Sequence, residues 1–258
     1  MWLLESKLFI DINNYLGKVV IQMLKVTNFT KIQRNGQRTV DSLNLDVYPG
    51  DVYGIVGNNG AGKTTILEAI AGETNFEAGD IKIDGVSVKS NPISWKFKVA
   101  YVPEAPELFD NLTGIQYLNF VCDSNNLEKE ECLDLIDHYC EMLQLGKKLS
   151  SPISTYTRSV KKKVALVAAL ITKPRLLLLD EPFVDVNPKG CLIIKKLINE
   201  LSEEGCSIVF STNALNIADD ICNKILILKE GKVIKCGFTR DLRRKSLFKD
   251  TRLKKVIV

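Results

Sequence analysis

The sequence predicts an α/β fold with a mostly parallel sheet flanked by helices, an antiparallel β subdomain near the N-terminus and an inserted helical subdomain. Three observations support this. Short apolar runs alternate with helical patterns along most of the chain, as in parallel sheets. Before residue 50, apolar and polar residues alternate one by one, which indicates β-strands. These strands come before the region in which strands and helices alternate. A long helical pattern from Thr113 to about Leu145 then interrupts it.

The first elements along the chain are predicted to be strands. Leu24 to Val26 is interpreted as an edge strand, and Leu43 to Val47 as a second strand. Tyr48-Pro49-Gly50-Asp51 is typical of a turn. Residues 1–22 allow two interpretations: one amphipathic helix from Leu3 to Leu16, or a start codon placed too early.

A glycine-rich stretch follows the next strand and has the form G-x-x-x-x-G-K-T, the P-loop. The apolar run Val52–Val56 leads into it, and a helix from Thr64 to Ala71, ended by Gly72, follows it. Backbone N–H groups and the helix dipole would cradle phosphates, with the lysine on the outer phosphates and the threonine on Mg²⁺. The predicted phosphate-binding residues are Gly57, Asn58, Asn59, Gly60, Ala61, Gly62, Lys63, Thr64 and Thr65.

The elements after the P-loop helix are predicted from turn residues and apolar periodicity. They are a turn at Glu77–Asp80, a hairpin at Asp84-Gly85, a strand at Val99–Val102 stopped by Pro103, the helical stretch ended by Gly146, helices at Val160–Thr172, Pro188–Leu201 and Ala214–Cys222, strands at Leu176–Leu179 and Ser207–Phe210, and a closing hairpin around Glu230-Gly231.

Two carboxylates follow the strand Leu176–Leu179 directly. Ligands of parallel α/β sheets bind at the carboxyl ends of the strands. Asp180 is therefore placed to bind Mg²⁺ through its water shell. Glu181 could polarise the water that attacks the γ-phosphate.

Together these residues make the chain similar to the ATP-binding cassette (ABC) ATPases, the motor subunits of ABC transporters. The resemblance covers Met23 to Gly237 and rests on the order of the P-loop, Tyr101-Val102-Pro103, a helical insertion, a signature helix, Leu176–Pro182 and Phe210-Ser211-Thr212. Leu108 to Gly114 and the Ala-rich helix after Lys163 most resemble subunits of ABC-2-type exporters, which include antibiotic-resistance and bacteriocin-export systems. The expected domains are an N-terminal extension (1–22), the ATPase domain (23–237, helical subdomain about 104–158) and a basic tail (238–258).

The resemblance implies an ATP hydrolase that uses ATP and Mg²⁺. Two cassettes would form a head-to-tail homodimer or heterodimer, with ATP held between one P-loop and the signature motif of the other cassette. Closing and opening of the dimer would move a separate transmembrane permease. The expected location is cytoplasmic, peripheral on the inner face of the cell membrane through that permease.

Several positions near the nucleotide depart from the family pattern. Gln33 stands where an aromatic residue usually stacks on adenine. Glu104 replaces a glutamine that serves both the metal and catalysis, so it keeps an oxygen for Mg²⁺ but adds negative charge. Asn213 replaces the switch histidine and can donate a hydrogen bond to a γ-phosphate, although it cannot become cationic.

The signature motif, usually Leu-Ser-Gly-Gly-Gln, is also altered and spans Tyr156 to Val160. Thr157 keeps the hydroxyl, Ser159 replaces a glycine whose backbone would approach the γ-phosphate, and Arg158 offers positive charge. Asn187 replaces the aspartate usual after the second carboxylate motif. We therefore expect nucleotide and Mg²⁺ binding to be retained and hydrolysis to be slow.

Composition excludes other classes of protein. The net charge of +4 over 258 residues is too small to indicate a nucleic-acid partner, and no apolar run approaches the ~18 residues that span a bilayer. His138 is expected at the surface. The cysteines show no metal or disulfide spacing and are expected to be reduced: Cys122, Cys132, Cys140, Cys191, Cys206, Cys222 and Cys236.

Two other functions are considered. The altered residues Glu104, Ser159 and Asn213 motivate an ATP-binding regulatory or immunity switch with vestigial hydrolysis. A cassette acting on ribosomes or DNA is the third, but the chain has room for one cassette and has no long coiled-coil insertion. Turnover with and without a membrane partner would separate the first two.

Overall fold

The computed structural model describes residues 22–33, 36–90 and 92–244. The proposed helix Leu3–Leu16 and most of the basic tail lie outside these ranges. The elements in chain order are β1 (Leu24–Ile32), β2 (Arg38–Val47), β3 (Val52–Gly57), α1 (Lys63–Ala71), β4 (Ala78–Ile83), β5 (Val86–Ser87), α2 (Pro92–Lys96), β6 (Val99–Val102), α3 (Gly114–Ser124), α4 (Lys129–Met142), two short 3₁₀ helices (Gly146–Ser150, Ile153–Thr155), α5 (Arg158–Leu170), β7 (Leu176–Leu179), α6 (Pro188–Glu203), β8 (Ser207–Thr212), α7 (Leu215–Ile221), β9 (Lys224–Lys229), β10 (Lys232–Phe238) and α8 (Thr239–Arg244).

The smaller sheet is antiparallel, with strand order β2-β1-β4-β5. The alternation that predicted β2 is present, since Leu43, Leu45 and Val47 are buried and the residues between them are exposed. The prediction that Leu24 to Val26 form an edge strand is wrong, because β1 pairs with β2 on one side and β4 on the other. The residue pattern indicated a strand there, but its second neighbour in the sheet lies about 50 to 60 residues later in the sequence, with Leu24 paired to Ile83.

The predicted turn at Glu77–Asp80 is also wrong, because β4 begins at Ala78. Gly79 has φ +89°, and a Cβ at this position would lie 2.4 Å from the carbonyl oxygen of Thr27. The pairing with β1 shifts register between Thr27 and Thr30. The glycine therefore marks an irregular strand crossing where two backbones come close, rather than a turn. The hairpin at Asp84-Gly85 is confirmed, with Ile83 paired to Val86.

The larger sheet has the order β10-β9-β3-β8-β7-β6. Strands β9, β3, β8, β7 and β6 run parallel to one another, and β10 pairs antiparallel with β9. Parallel strands buried on both faces read as continuous apolar runs, and all four leucines of β7 are buried. The predicted α/β fold with a mostly parallel sheet and an N-terminal antiparallel subdomain is confirmed.

Two apolar cores lie on opposite faces of the larger sheet. Leu177 and Leu179 face the core shared with the helical insertion, α5 and α6. Leu176 and Leu178 face the core shared with α1 and the antiparallel sheet. Because successive side chains of a strand point to opposite faces of the sheet, β7 contributes to both cores.

The inserted segment is helical, as predicted, but residues 125–128 divide it into α3 and α4. Thr113 is the N-cap of α3: its side chain accepts from the backbone N–H of Gln116, whose side chain in turn accepts from the N–H of Thr113. His138 lies exposed on α4, as expected.

The expectation of reduced thiols is wrong for Cys122 and Cys132, which form a disulfide between α3 and α4. Residues 125–128 turn α4 back toward α3, which brings the two Cα atoms to 6.3 Å, within the usual range for a disulfide. A separation of ten residues matches no recognised cysteine motif. The other five cysteines are free: Cys140, Cys191, Cys206, Cys222 and Cys236.

Within the described ranges, no helix is both long and apolar enough to cross a membrane.

Candidate nucleotide-binding site

The P-loop connects β3 to α1 at the centre of the larger sheet. Gly57 ends β3 so close to β9 that a Cβ would lie 2.4 Å from the carbonyl oxygen of Leu228. Gly62, at φ +105°, turns the chain into α1 with its backbone against the carbonyl oxygen of Thr39. Only glycine fits both positions, so these two glycines bring the backbone N–H groups around the helix N-terminus, an arrangement that can accept an anion.

Lys63 is the first residue of α1, and its side chain is buried. Its Nζ donates to the carbonyl oxygens of Gly57 at 2.8 Å and Asn58 at 3.2 Å. It also lies 3.1 Å from Oε1 of Glu181. The lysine thus folds back on its own loop, where a neighbouring carboxylate balances its charge.

Asp180 follows β7 and is buried. Its Oδ2 accepts a hydrogen bond from the Thr64 hydroxyl at 2.7 Å, and its Oδ1 accepts from the Ser211 hydroxyl. Burial, reinforced by the Asp180 charge, raises the pKa of Glu68 and of Tyr101. Asp180 is thus held from both sides by hydroxyl groups on α1 and β8.

Glu181 is the next residue, and it is also buried. Its backbone is left-handed, with φ +44°, which is uncommon for a residue with a Cβ. Its N–H donates to the Ser211 hydroxyl at 2.8 Å. Oε1 makes no hydrogen bond to a described residue, and its partner is the Lys63 ammonium, with which it forms an ion pair at 3.1 Å. A buried carboxylate oxygen held only by an ion pair keeps lone pairs that can accept from a ligand or a water molecule.

The residues around the P-loop fit MgATP. The cradle accepts phosphates, Lys63 can turn to them, and the Thr64 hydroxyl and Asp180 carboxylate are oxygen donors of the kind that Mg²⁺ binds. Among the described residues, no group of three or more His, Cys, Asp and Glu side chains could hold a metal ion. A metal here would therefore need phosphate oxygens and water to complete its ligands, as Mg²⁺ at P-loops does.

Other predicted residues follow the carboxyl ends of neighbouring parallel strands. Glu104 lies just beyond β6 and Asn213 just beyond β8, and both are exposed. With the P-loop after β3 and Asp180-Glu181 after β7, four adjacent strands contribute to one edge of the sheet. Gln33 belongs to a different element: it is exposed in the connection between β1 and β2, where its N–H donates to the carbonyl oxygen of Gln37.

The signature residues lie at the start of α5. Thr157 is the N-cap, and its hydroxyl accepts from the N–H of Val160 at 3.4 Å, so the helix begins at Arg158 rather than at the predicted Val160. The Arg158 side chain is 88% exposed and lies 4.0 Å from Asp185. Ser159 is half-buried. In the described part of the chain, no hydrogen bond or ion pair joins these signature residues to the P-loop.

Asn187 caps a different helix. Its side-chain oxygen accepts from the N–H of Gly190 at 2.7 Å at the start of α6. An asparagine is as good an N-cap as the aspartate that the family usually has here. Local structure therefore explains this departure from the family pattern.

Two residues of the site were missed by sequence reasoning. Ser211 bridges Asp180 and the backbone of Glu181. The sequence placed it in the motif Phe210-Ser211-Thr212, but sequence reasoning gave it no role in the site. Lys162 is buried and donates from Nζ to the carbonyl oxygens of Glu181 and Val184, each at 3.0 Å. Burial lowers the pKa of Lys162. A lysine within Lys161-Lys162-Lys163 carries no signal that distinguishes it from a solvated charge.

Comparison with known proteins supports the same interpretation. The family model described as ABC transporter matches residues 40–184. An uncharacterized ABC transporter ATP-binding protein of Methanocaldococcus jannaschii is 30% identical over 87% of this chain and 81% of its own length. The linearmycin resistance ATP-binding protein LnrL of Bacillus subtilis is 28% identical over 85% of this chain and 70% of its own. A solved structure described as the ATP binding subunit of an ABC transporter is 28% identical, has a TM-score of 0.81, and is matched over 86% of this chain and 92% of that one.

The family match, these relatives and the P-loop beside Asp180 and Glu181 lead to one conclusion. The chain belongs to the ABC transporter family, as an ATP-binding subunit.

Proposed function

We propose that this subunit binds MgATP at its P-loop, hydrolyses it at a composite site completed by a second cassette, and thereby drives a separate membrane-spanning partner, in an exporter. The observation that carries the proposal is the arrangement of Lys63, Thr64, Asp180 and Glu181 at the ends of neighbouring strands. The P-loop and the two carboxylates after β7, which are motifs of the family, therefore lie side by side.

Binding of nucleotide would change the partners of Lys63. Its Nζ now donates to the carbonyl oxygens of Gly57 and Asn58 and faces Glu181. In the proposed complex it points to the outer phosphates, which are more highly charged acceptors than a carbonyl. The Glu181 carboxylate is then released from its nearest cation.

Glu181 is the proposed general base. Once Lys63 has turned to the phosphates, Oε1 of Glu181 can accept the proton of a water molecule that attacks the γ-phosphate. The bond from its N–H to Ser211 fixes the backbone from which the carboxylate extends. Mg²⁺, when bound by Thr64 and Asp180, would neutralise charge on the phosphates.

A second cassette would complete the site. Thr157 and Arg158 are exposed at the start of α5 and make no bond to the P-loop of their own chain. In a head-to-tail dimer they would face the γ-phosphate bound by the other chain, and Ser159 would replace a glycine backbone there. Exposed hydroxyl and guanidinium groups at a helix N-terminus suit a phosphate ligand.

The altered residues are proposed to make hydrolysis slow. Glu104 brings negative charge and Asn213 cannot become cationic. Each removes some stabilisation of a transition state in which charge spreads over the phosphate oxygens. Loss of one such contact typically costs ~10²–10³ in rate. Gln33 would also cover the base less well than an aromatic ring.

A permease is proposed to bind in a groove of about 640 Å³ between β6 and the helical insertion. Its walls combine apolar and polar surface in equal measure, and the Phe97 side chain in its lining is 69% exposed. Pro103 lines the groove and is followed directly by Glu104 at the nucleotide site. A segment of the permease seated here would therefore respond to movement at the γ-phosphate, and it would hold the subunit at the inner face of the membrane.

The alternative remains an ATP-binding regulatory or immunity switch with vestigial hydrolysis. Glu104, Ser159 and Asn213 favour it, because each lies in the part that would sense the γ-phosphate and none lies in the P-loop. Such a protein would bind MgATP as tightly as a transporter subunit but would not couple turnover to a permease.

The test is Mg²⁺-dependent phosphate release by the parent and by Glu181→Gln. We expect slow release by the parent, and a rate lower by about 10²–10³ for the variant, because a general base contributes on that order. MgATP affinity, measured by calorimetry on both proteins, should stay similar. Equal rates for the two proteins would show that Glu181 is not the base, and no hydrolysis by the parent with any membrane partner would favour the switch.

A further inference from the structure

Lys162 is a buried lysine with no role in the function proposed above. It lies in the second turn of α5, whose first residues form the signature segment. Its Nζ donates to the carbonyl oxygens of Glu181 and Val184, each at 3.0 Å. These two carbonyls belong to the short segment that leads from β7 toward α6.

That segment needs to be held. Glu181 adopts φ +44° and Asp185 adopts φ +62°, a region that residues with a Cβ rarely occupy. The N–H of Val184 donates to the carbonyl oxygen of Glu181 at 3.2 Å, which closes a tight turn. Lys162 caps both carbonyls of this turn from one side, and Ser211 fixes the N–H of Glu181 from the other.

We propose that Lys162 is a positioning residue for Glu181. By holding the carbonyl oxygens of Glu181 and Val184, it keeps the turn after β7 in the one conformation that directs the Glu181 carboxylate to the P-loop. The same side chain ties this turn to the signature helix, so a shift of α5 against a second cassette is transmitted to the base of its own chain. The inference rests on the proposed role of Glu181.

The neighbouring lysines provide matched controls. Lys163 Nζ donates to the carbonyl oxygen of Leu143 at 2.8 Å, which anchors α5 to the end of α4. Lys161 pairs with Asp110 at 2.6 Å. Lys163→Met removes a bond of the same kind from the same helix without touching the turn that holds Glu181.

The experiment uses the full chain with Lys162→Met, Lys162→Arg and Lys163→Met. Hydrogen–deuterium exchange of the segment 181–185 is measured first, because it reports the turn without any catalysis. Steady-state kcat and KM for ATP and the MgATP Kd are measured next. Lys162→Met and Lys163→Met are also combined with Glu181→Gln. Lys162→Gln, a shorter donor, replaces Lys162→Met if the latter does not fold.

We expect Lys162→Met to speed exchange in 181–185 by about tenfold or more, whereas Lys163→Met leaves it unchanged. Its kcat should fall by on the order of 10²-fold with KM and Kd within about threefold, because misplacing a catalytic group affects the chemical step. Lys162→Arg keeps the charge and the donors, so it should retain most of the protection from exchange in 181–185 and most of the parent kcat. In the Glu181→Gln background Lys162→Met should have no further effect.

Three results would overturn the proposal. Unchanged exchange in Lys162→Met would show that the lysine does not hold the turn, whatever the rates are. Faster exchange with an unchanged kcat would show that the turn does not position the base. An equal loss of rate in the Glu181→Gln background would show that Lys162 acts through another group. Equal hydrolysis by Glu181→Gln and the parent would instead remove the proposed role of Glu181, and the exchange measurement would still decide whether Lys162 holds the turn.

Discussion

Lys63 and Glu181 form a buried ion pair, and neither is fully satisfied by the other. The two side chains are about 6–7% exposed and 3.1 Å apart, yet Oε1 of Glu181 has no hydrogen bond to a described residue. Such a pair gains only part of the energy that would offset removal of two charges from water. The arrangement is therefore readily exchanged for one in which a phosphate takes the lysine.

Lys63→Ala is expected to weaken MgATP binding by roughly a hundredfold or more, equivalent to about 2.7 kcal/mol, because the P-loop then has no side-chain cation for the phosphates. Removing the lysine also leaves Glu181 as a buried, unpaired carboxylate, so the melting temperature is measured alongside. Calorimetry gives the affinity, and Lys82→Ala, an exposed lysine on β4, serves as the control. Equal affinity of Lys63→Ala and the parent would rule out the P-loop as the nucleotide site.

At the scale of elements, one carboxylate joins the two sheets. Asp84 lies at the tip of the β4–β5 hairpin and binds Lys98, just before β6, at 2.5 Å and Arg175, just before β7, at 2.9 Å. The hydrogen bond from Lys98, followed by the charges of Arg175 and Lys98, lowers the pKa of Asp84 despite its partial burial. The antiparallel subdomain is thus fastened to the amino ends of two parallel strands.

Asp84→Asn is expected to lower the free energy of unfolding by about 1 kcal/mol at neutral pH. Asparagine tolerates the left-handed backbone of this turn, so the substitution tests the charge. The folded-state pKa of Asp84 lies below the unfolded value of about 4. The stabilisation is therefore complete above pH ~4 and is lost as the pH falls through the folded-state pKa. Denaturant unfolding of both proteins across this range measures it, and a constant difference at every pH would contradict the assignment.

Elements with a strong local pattern could be predicted from sequence, and their pairing could not. The strands around the P-loop and before Asp180 are correct because four to six consecutive apolar residues have few other solutions in a domain of this size. The position of β1 depends on its pairing with β4, and the disulfide depends on how α4 folds back on α3. Both depend on how elements pack together, which the local residue pattern does not record. The role of Lys162 was missed because it acts through backbone carbonyls, which no residue pattern records. The role of Ser211 was missed because its contacts to Asp180 and to the backbone of Glu181 depend on how β7 and β8 pair.

At the scale of the whole molecule, the proposed site is divided between two chains. In a homodimer, each site would pair Glu181 of one chain with Arg158 of the other. Arg158 is almost fully exposed, so its reversal to glutamate should leave the fold intact. Glu181→Gln in one chain and Arg158→Glu in the other therefore damage different halves of the shared site.

Mixing Glu181→Gln with Arg158→Glu is expected to restore hydrolysis to about a quarter of the parent rate. Half of the dimers would contain both chains, and each of these has one site with both residues intact. Phosphate release is measured on each variant alone and on the equimolar mixture after subunit exchange. A mixture that stays at the mean of the two separate rates would contradict a homodimer with sites shared in this way.

The central position of β3 in the larger sheet has a consequence for folding during synthesis on the ribosome. β3 lies between β8 and β9, whose residues are made some 150 positions later, and the N–H of Gly231 completes the contact with Ala61 of the P-loop. The loop and its apolar strand therefore emerge long before either neighbour exists. In an unfinished chain the P-loop sequence lacks the neighbouring strands that support it. The apolar strand β3 then has both edges unpaired, which favours aggregation. Nucleotide bound at the P-loop could therefore stabilise the chain only after β8 and β9 have been made.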